Sequence, residues 1–121
     1  IEGSFEVKLT PQEDSNAPAG RMLINKDYSG ALNGSGTGQM ISKGTENRAA
    51  IYFAIEEFLG TVDGKSGGFT LVHKGVMNSE AQSLDVSVLE DSGTDDLVGI
   101  SGAMTITQKN GDHAYSFEYK L

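Results

Sequence analysis

Residues 53–75 read FAIEEFLGTVDGKSGGFTLVHKG. Apolar residues alternate with others on both sides of Asp63-Gly64, a pair that accepts positive φ at both central positions of a two-residue type I′ hairpin. A loop of that length fixes the register, because the flanking residues pair and their neighbours follow outward. Phe58 then opposes Phe69, Glu56 opposes Leu71, Ala54 opposes His73 and Tyr52 opposes Gly75. Glu56 and His73 share a face as diagonal neighbours within side-chain reach. Glu57 falls on the reverse face beside Thr70, in line with Phe53, Ile55 and Val72. Both faces carry apolar residues, so one is expected to line an interior and the other to be covered by a partner subunit or a terminal segment.

The same arithmetic around Asn110-Gly111 opposes Gln108 to His113, Ile106 to Tyr115, Met104 to Phe117, Gly102 to Tyr119 and Ile100 to Leu121. That face is apolar, with Met104 and Phe117 expected in the core, and the reverse face carries Thr105, Ser116, Glu118 and Lys120. Turn chemistry and hydrophobic pattern, read independently, agree. Around Asn33-Gly34 a third two-residue turn opposes Tyr28 to Gln39 and Lys26 to Ile41, with Asp27 against Met40 on the other side. Further strands are expected at 4–10 and 82–89, a polar loop at 11–20 (PQEDSNAPAG) and an acidic one at 90–96 (EDSGTDD). Eight strands joined mostly by hairpins lose their exposed edges best by closing into an antiparallel barrel, filled by side chains or holding one small ligand. A β-sandwich is the alternative, and helix is expected only as a stray turn.

The chain of 121 residues fits one domain, 1–121, with 37% hydrophobic residues, sixteen glycines and two prolines, a composition suited to many turns and few helices. Seventeen acidic against nine basic residues give a net charge of −8, the wrong sign for nucleic acid or an anionic membrane. The absence of cysteine excludes disulfides and thiolate chemistry and is compatible with a cytoplasmic location. No apolar run reaches the roughly 18 residues that span a bilayer as a helix, and no charged-then-apolar leader opens the sequence. It starts at Ile1 without a methionine, which is compatible with a processed or trimmed start.

Glu56 is the sharpest candidate for chemistry. A carboxylate among Tyr52, Phe58, Phe69 and Leu71 is expected to be desolvated and its pKa raised, as a general acid or base requires; the structural alternative is a glutamate satisfied by tyrosine hydroxyls. His73 is positioned to share its proton or to orient a ligand oxygen, the alternative being a strand-end histidine that reaches solvent. Tyr28, Tyr52 and Tyr115 with Gln39, Phe58 and Phe69 would supply the few polar groups and apolar walls of a small-molecule site, although any single ring in a small barrel is more often packing. His113 lies beside a turn on another strand, so no metal site is expected, and no cofactor is implied. Asp91, Asp95 and Asp96 miss the EF-hand spacing, and GSGTG at 34–38 opens a strand and lacks the lysine of a phosphate loop. Neither a Gly-x-Ser-x-Gly elbow nor a Ser/His/Asp chain order supports a hydrolase.

The ordered set FEVK, YSGALNGSG, YFAIEEFLG, GKSGGFTLVHKG, DSGTDDLVGISGAM and YSFEY resembles domain-of-unknown-function family 3224, small bacterial proteins with an allene oxide cyclase-like barrel. Tyr28 matches the family's aromatic before Ser-Gly, and Tyr52 with Glu56 its aromatic four residues before a glutamate. Gly64, Gly67, Phe69, Leu71 and His73 match Gly-x-x-Gly-x-Phe-x-Leu-x-His, and Gly93, Thr94, Leu97, Gly99 and Gly102 match a second glycine signature. Gln39 stands where many relatives carry an acid, and Glu57 where many carry a base. The resemblance implies the barrel fold and, by analogy with enzymes of that fold, cyclisation of apolar substrates in the lumen. Two functions follow as expectations. One is a small-molecule-binding barrel acting as an isomerase or cyclase, with Glu56 moving the proton, His73 assisting and Tyr28, Tyr52 and Gln39 positioning a largely apolar ligand. The other is a noncatalytic carrier or interaction module with a filled lumen, homo-oligomeric and dimeric by preference through the face around Phe53, Ile55 and Val72.

Overall fold

In the computed structural model the period-two segments form eight strands: β1 (Glu2–Gln12), β2 (Gly20–Gly30), β3 (Leu32–Gly44), β4 (Ala50–Val62), β5 (Lys65–Met77), β6 (Gln82–Val88), β7 (Ser101–Lys109) and β8 (Asp112–Lys120). The structure describes residues 1–12, 18–78, 81–109 and 111–121. Each strand pairs antiparallel with its sequence neighbour, and β8 returns to β1, so the sheet closes into a barrel and the sandwich alternative falls. Closure satisfies the edges that an open eight-stranded sheet would leave unpaired. The only helical element among the described residues is a 3-10 turn, Asp95–Leu97, on the β6–β7 connection.

The Asp63-Gly64 register is observed as expected: Phe58 faces Phe69, Glu56 faces Leu71 and Ala54 faces His73. Asp63 (φ 49) and Gly64 (φ 83) both take the left-handed conformation that the loop demands. The β7–β8 register also stands from Gln108–His113 to Gly102–Tyr119, although Asn110 itself lies outside the described residues. Ile100 and Leu121 do not extend it. Ile100 is drawn into the core by a turn in which its amide bonds Leu97 O, whereas Leu121 is 51% exposed.

The third hairpin differs. The β2–β3 reversal is centred on Ala31, and Tyr28 pairs with Gly34, Asp27 with Ser35 and Lys26 with Gly36 instead of the expected partners. Tertiary contacts override the local Asn-Gly signal here. Gly34 is needed within β3, where a Cβ would overlap Leu59 O on β4, and Gly30 (φ 104) supplies the left-handed residue of the actual turn. Tyr115 clamps that turn from inside the barrel: its hydroxyl accepts from the Leu32 amide at 2.8 Å and lies 3.0 Å from the Ser29 carbonyl. The shift of five residues is odd, so it exchanges the two faces of β3. Gln39, expected in the ligand site, is therefore exposed on the outer surface.

One half of the barrel is filled. Phe58, Phe69 and Phe117 pack as successive rings, 5.0 and 5.7 Å between centroids, above fully buried Leu32, Val62 and Leu97. At the other end, framed by the far ends of the long strands β1–β5, the lumen is open.

Candidate functional site

The polar centre lies where the filled half meets the open half. Glu56, on β4, is 0% exposed and binds three side chains from two other strands. Lys26 Nζ of β2 donates to Oε1 at 2.9 Å, the Tyr28 hydroxyl of β2 donates to Oε2 at 2.5 Å, and His73 Nε2 of β5 meets Oε1 at 2.9 Å. Strand β3 separates β4 from β2, yet the carboxylate crosses it because the inward positions of β3 beside it, Gly36 and Gly38, are glycines. A Cβ on Gly36 would overlap Glu56 Oε2, and one on Gly38 would overlap the Ile55 carbonyl oxygen. Lys26 is also 4.6 Å from the centroid of the Phe5 ring, a cation–π contact that helps hold an ammonium out of water.

Electrostatically, Glu56 is the reverse of the expectation. Burial alone pushes its pKa up, but the His73 hydrogen bond, the Lys26 charge and the Tyr28 hydroxyl outweigh it and hold the group at about 2. The carboxylate is an ionised acceptor shared by three donors, because the apolar surroundings assumed from its neighbours omitted Lys26. Burial and then the Glu56 charge raise the pKa of Tyr28, so its phenol remains a donor. Ionised Glu56 can only accept, so His73 places Nε2–H on it, which leaves Nδ1 as the ring nitrogen not engaged by the carboxylate.

Above this cluster a cavity of about 490 Å³ opens to the mouth, within the size range of small-molecule sites. Its walls are Phe5, Val7, Leu9, Ile24, Met40, Ala54, Leu84 and Ile106, with Lys26, Tyr52, His73, Gln82, Gln108 and His113 as polar groups. A groove of about 760 Å³ lies outside, along β1, β2 and β8, and carries Glu6, Asp27 and Asp112. It holds no buried polar cluster, so the lumen is the candidate site.

Glu56 and His73 are in direct contact, as the hairpin register implied, but only His73 borders the cavity. Tyr52 borders it too, its ring lying over Gly75, where a Cβ would overlap it. Tyr28 sits beneath it on Glu56. Phe58, Phe69 and Tyr115 belong to the packed half and line no part of it. The residue that sequence reasoning missed is Lys26. Its signal was the alternation Ile24, Lys26, Tyr28: once the two apolar residues face inward, the lysine must follow. No group of three or more metal-ligating side chains occurs among the described residues, and no described helix is long and apolar enough to cross a membrane.

Fold and site together define a closed eight-stranded up-and-down barrel with an ion-paired floor beneath an open cavity. The chain belongs to the family described as protein of unknown function (DUF3224), whose model matches residues 1–119. It is similar to a protein of unknown function from that family in Shewanella oneidensis MR-1, known from a crystal structure at 1.84 Å resolution. The two share 34% identity and a TM-score of 0.92 over 100% of this chain and 95% of the other. No curated protein is matched.

Proposed function

We propose that the barrel binds a largely apolar small molecule head-first in its lumen and moves a proton on it, as an isomerase or cyclase does. The observation that carries this reading is the pairing of Lys26 and His73 at the floor of a cavity with mostly apolar walls, both fixed by one buried carboxylate. Lys26 has N–H groups beyond the one given to Glu56, suited to a carbonyl oxygen or the oxyanion that develops from it. His73, its Nε2 held on Glu56, offers Nδ1 to the proton on the adjacent carbon. Glu56 lies behind both and is a positioning residue: it sets the histidine tautomer and would stabilise the imidazolium once the proton arrives. That reverses the order of roles expected from sequence, where Glu56 itself moved the proton. Substrates of this class are carbonyl compounds with an acidic α-hydrogen and an apolar body, such as β,γ-unsaturated ketones.

The test uses a panel of β,γ-unsaturated ketones in deuterated buffer, with binding followed by chemical-shift changes and reaction by deuterium uptake and the ultraviolet band of the conjugated product. Shifts at Ala54, His73 and Ile106 together with deuterium incorporation are expected. Ala54→Phe, which sets a ring into the cavity just above the His73 floor, should remove both. His73→Gln should keep binding and lose exchange. Binding that survives Ala54→Phe, or exchange that survives His73→Gln, overturns the assignment.

A further inference from the structure

The outer face of β2–β5 carries an apolar patch that nothing among the described residues covers: Ile55 is 62%, Leu59 65% and Phe53 44% exposed. The strand registers arrange this face in rows. Arg21, Ile41, Phe53 and Lys74 form one; Leu23, Gln39, Ile55 and Val72 the next; then Asn25, Thr37, Glu57 and Thr70; then Asp27, Ser35, Leu59 and Gly68. Lys43, Ile51 and Val76 lie one row beyond the first, toward the mouth. Basic residues thus gather on the mouth side of the Ile55 row, with Asp85 of β6 in register beside Lys74 at its edge, and Glu57 and Asp27 lie on the other. Arg21, Lys43 and Lys74 make up three of the nine basic residues of a chain with net charge −8.

We infer that this face is the interface of a homodimer whose two-fold axis crosses β4 at Ile55, at right angles to the strands. Isologous contacts require a patch complementary to itself. That rotation sets Ile55 on Ile55, Leu59 on the partner's Ile51, and Glu57 on the row of the partner's Phe53 and the partner's Lys74. A parallel stack would instead set the Glu57 rows against each other, and like charges facing across an interface oppose association. The charge pattern therefore selects a second copy as the occupant and fixes its orientation. The interface lies outside the barrel and is independent of any ligand in the lumen.

Sedimentation equilibrium at micromolar concentration should give twice the chain mass. Ile55→Glu, at an exposed site, should give a folded monomer. Glu57→Lys and Lys74→Glu should each weaken the dimer about tenfold or more, because each sets like charges face to face. The double variant carries the exchange in both copies and should return close to the parent affinity. A monomeric parent protein, a dimer untouched by Ile55→Glu, or a double variant no tighter than the single ones overturns the proposal.

Discussion

Glu56 is the residue on which the interior depends, and its environment makes two predictions. Replacing it by Gln removes the counter-charge of a buried lysine, so Glu56→Gln should cost about 3–5 kcal/mol in denaturant unfolding, the range for breaking a buried ion pair from one side. Lys26→Met should cost a similar amount, and the double change less than the sum, because the first loss leaves the second residue without a charge to compensate. Additive costs in that cycle would show that the 2.9 Å contact carries no coupling. The second prediction concerns acid. A carboxyl whose folded pKa is lowered from 4.5 to about 2 contributes stability that is present above pH 4.5 and is lost as pH falls toward 2. The pKa difference corresponds to on the order of 3 kcal/mol. Unfolding free energies between pH 6 and 2 should therefore fall more steeply for the parent protein than for Glu56→Gln, and parallel curves would refute the assignment. The Glu56–His73 contact was legible in the sequence because a two-residue turn counts positions without error. Lys26 was not, since lysine is a surface residue by default and its partner lies two strands away across glycines that only the folded sheet shows to be adjacent.

At the scale of elements, the glycine signatures turn out to build the closed end of the barrel. The segment after β6 runs back along β5: Leu89 N donates to Thr70 O, Ser92 Oγ accepts from Thr70 N, and Thr94 exchanges bonds with Gly68 through its amide and hydroxyl. A Cβ on Gly67 would overlap Thr94 O, so the close approach requires glycine there. The short 3-10 turn that follows drives Leu97 to full burial against the core. Leu97→Ala should cost about 2–5 kcal/mol, as cavity-forming core changes do, and Thr94→Ala about 1 kcal/mol for its hydroxyl bond to the Gly68 amide, both read from denaturation midpoints at constant slope. If Leu97→Ala cost no more than a surface change, the turn would be a loose cover and not a plug. The same elements show what local signals resolve. At Asp63-Gly64 the tertiary contacts agree with the turn's own geometry, the Asp63 amide donating to Ala31 O and its carboxylate accepting from the Tyr119 hydroxyl, and its register is right throughout. Asn33-Gly34 carries an equally strong hairpin signal, yet the close passage of β3 over β4 at Gly34 and the Tyr115 clamp on Leu32 move the reversal upstream. Dipeptide chemistry encodes neither of those contacts.

For the whole molecule, the uneven pairing around the barrel gives the last prediction. Strands β2 to β5 are joined by ladders along nearly their full lengths, whereas among the described residues β6 and β7 pair only at Val86–Met104 and Ser87–Ala103, and β1 meets β8 from Glu2 to Phe5, with Ile1 bonded to Phe117 just before it. Toward the mouth, β7 from Thr105 to Lys109 is paired with β8 alone and Asp112 of β8 with β7 alone, so this end of the hairpin stands between two seams. The open seams flank the mouth, where Gln82 and Leu84 of β6, Ile106 and Gln108 of β7 and His113 of β8 border the cavity. At the β1–β8 seam the wall is one side chain thick, since Phe5, Val7 and His113 line both the lumen and the outer groove. A wall with few cross-strand bonds opens at lower free energy than the long ladders opposite it. Backbone amides at 105–108 and 112 should thus exchange with solvent at least tenfold faster than those at 54–58 and 69–73, as measured by hydrogen exchange with mass spectrometric or NMR detection. A ligand seated in the lumen should slow the first set and leave the second unchanged, because it contacts Ile106 and His113 directly while the β4–β5 ladder is already at the protection of global unfolding. Equal protection around the barrel would show instead that the mouth is as rigid as the floor, and that a ligand must enter through the open end without any movement of the wall.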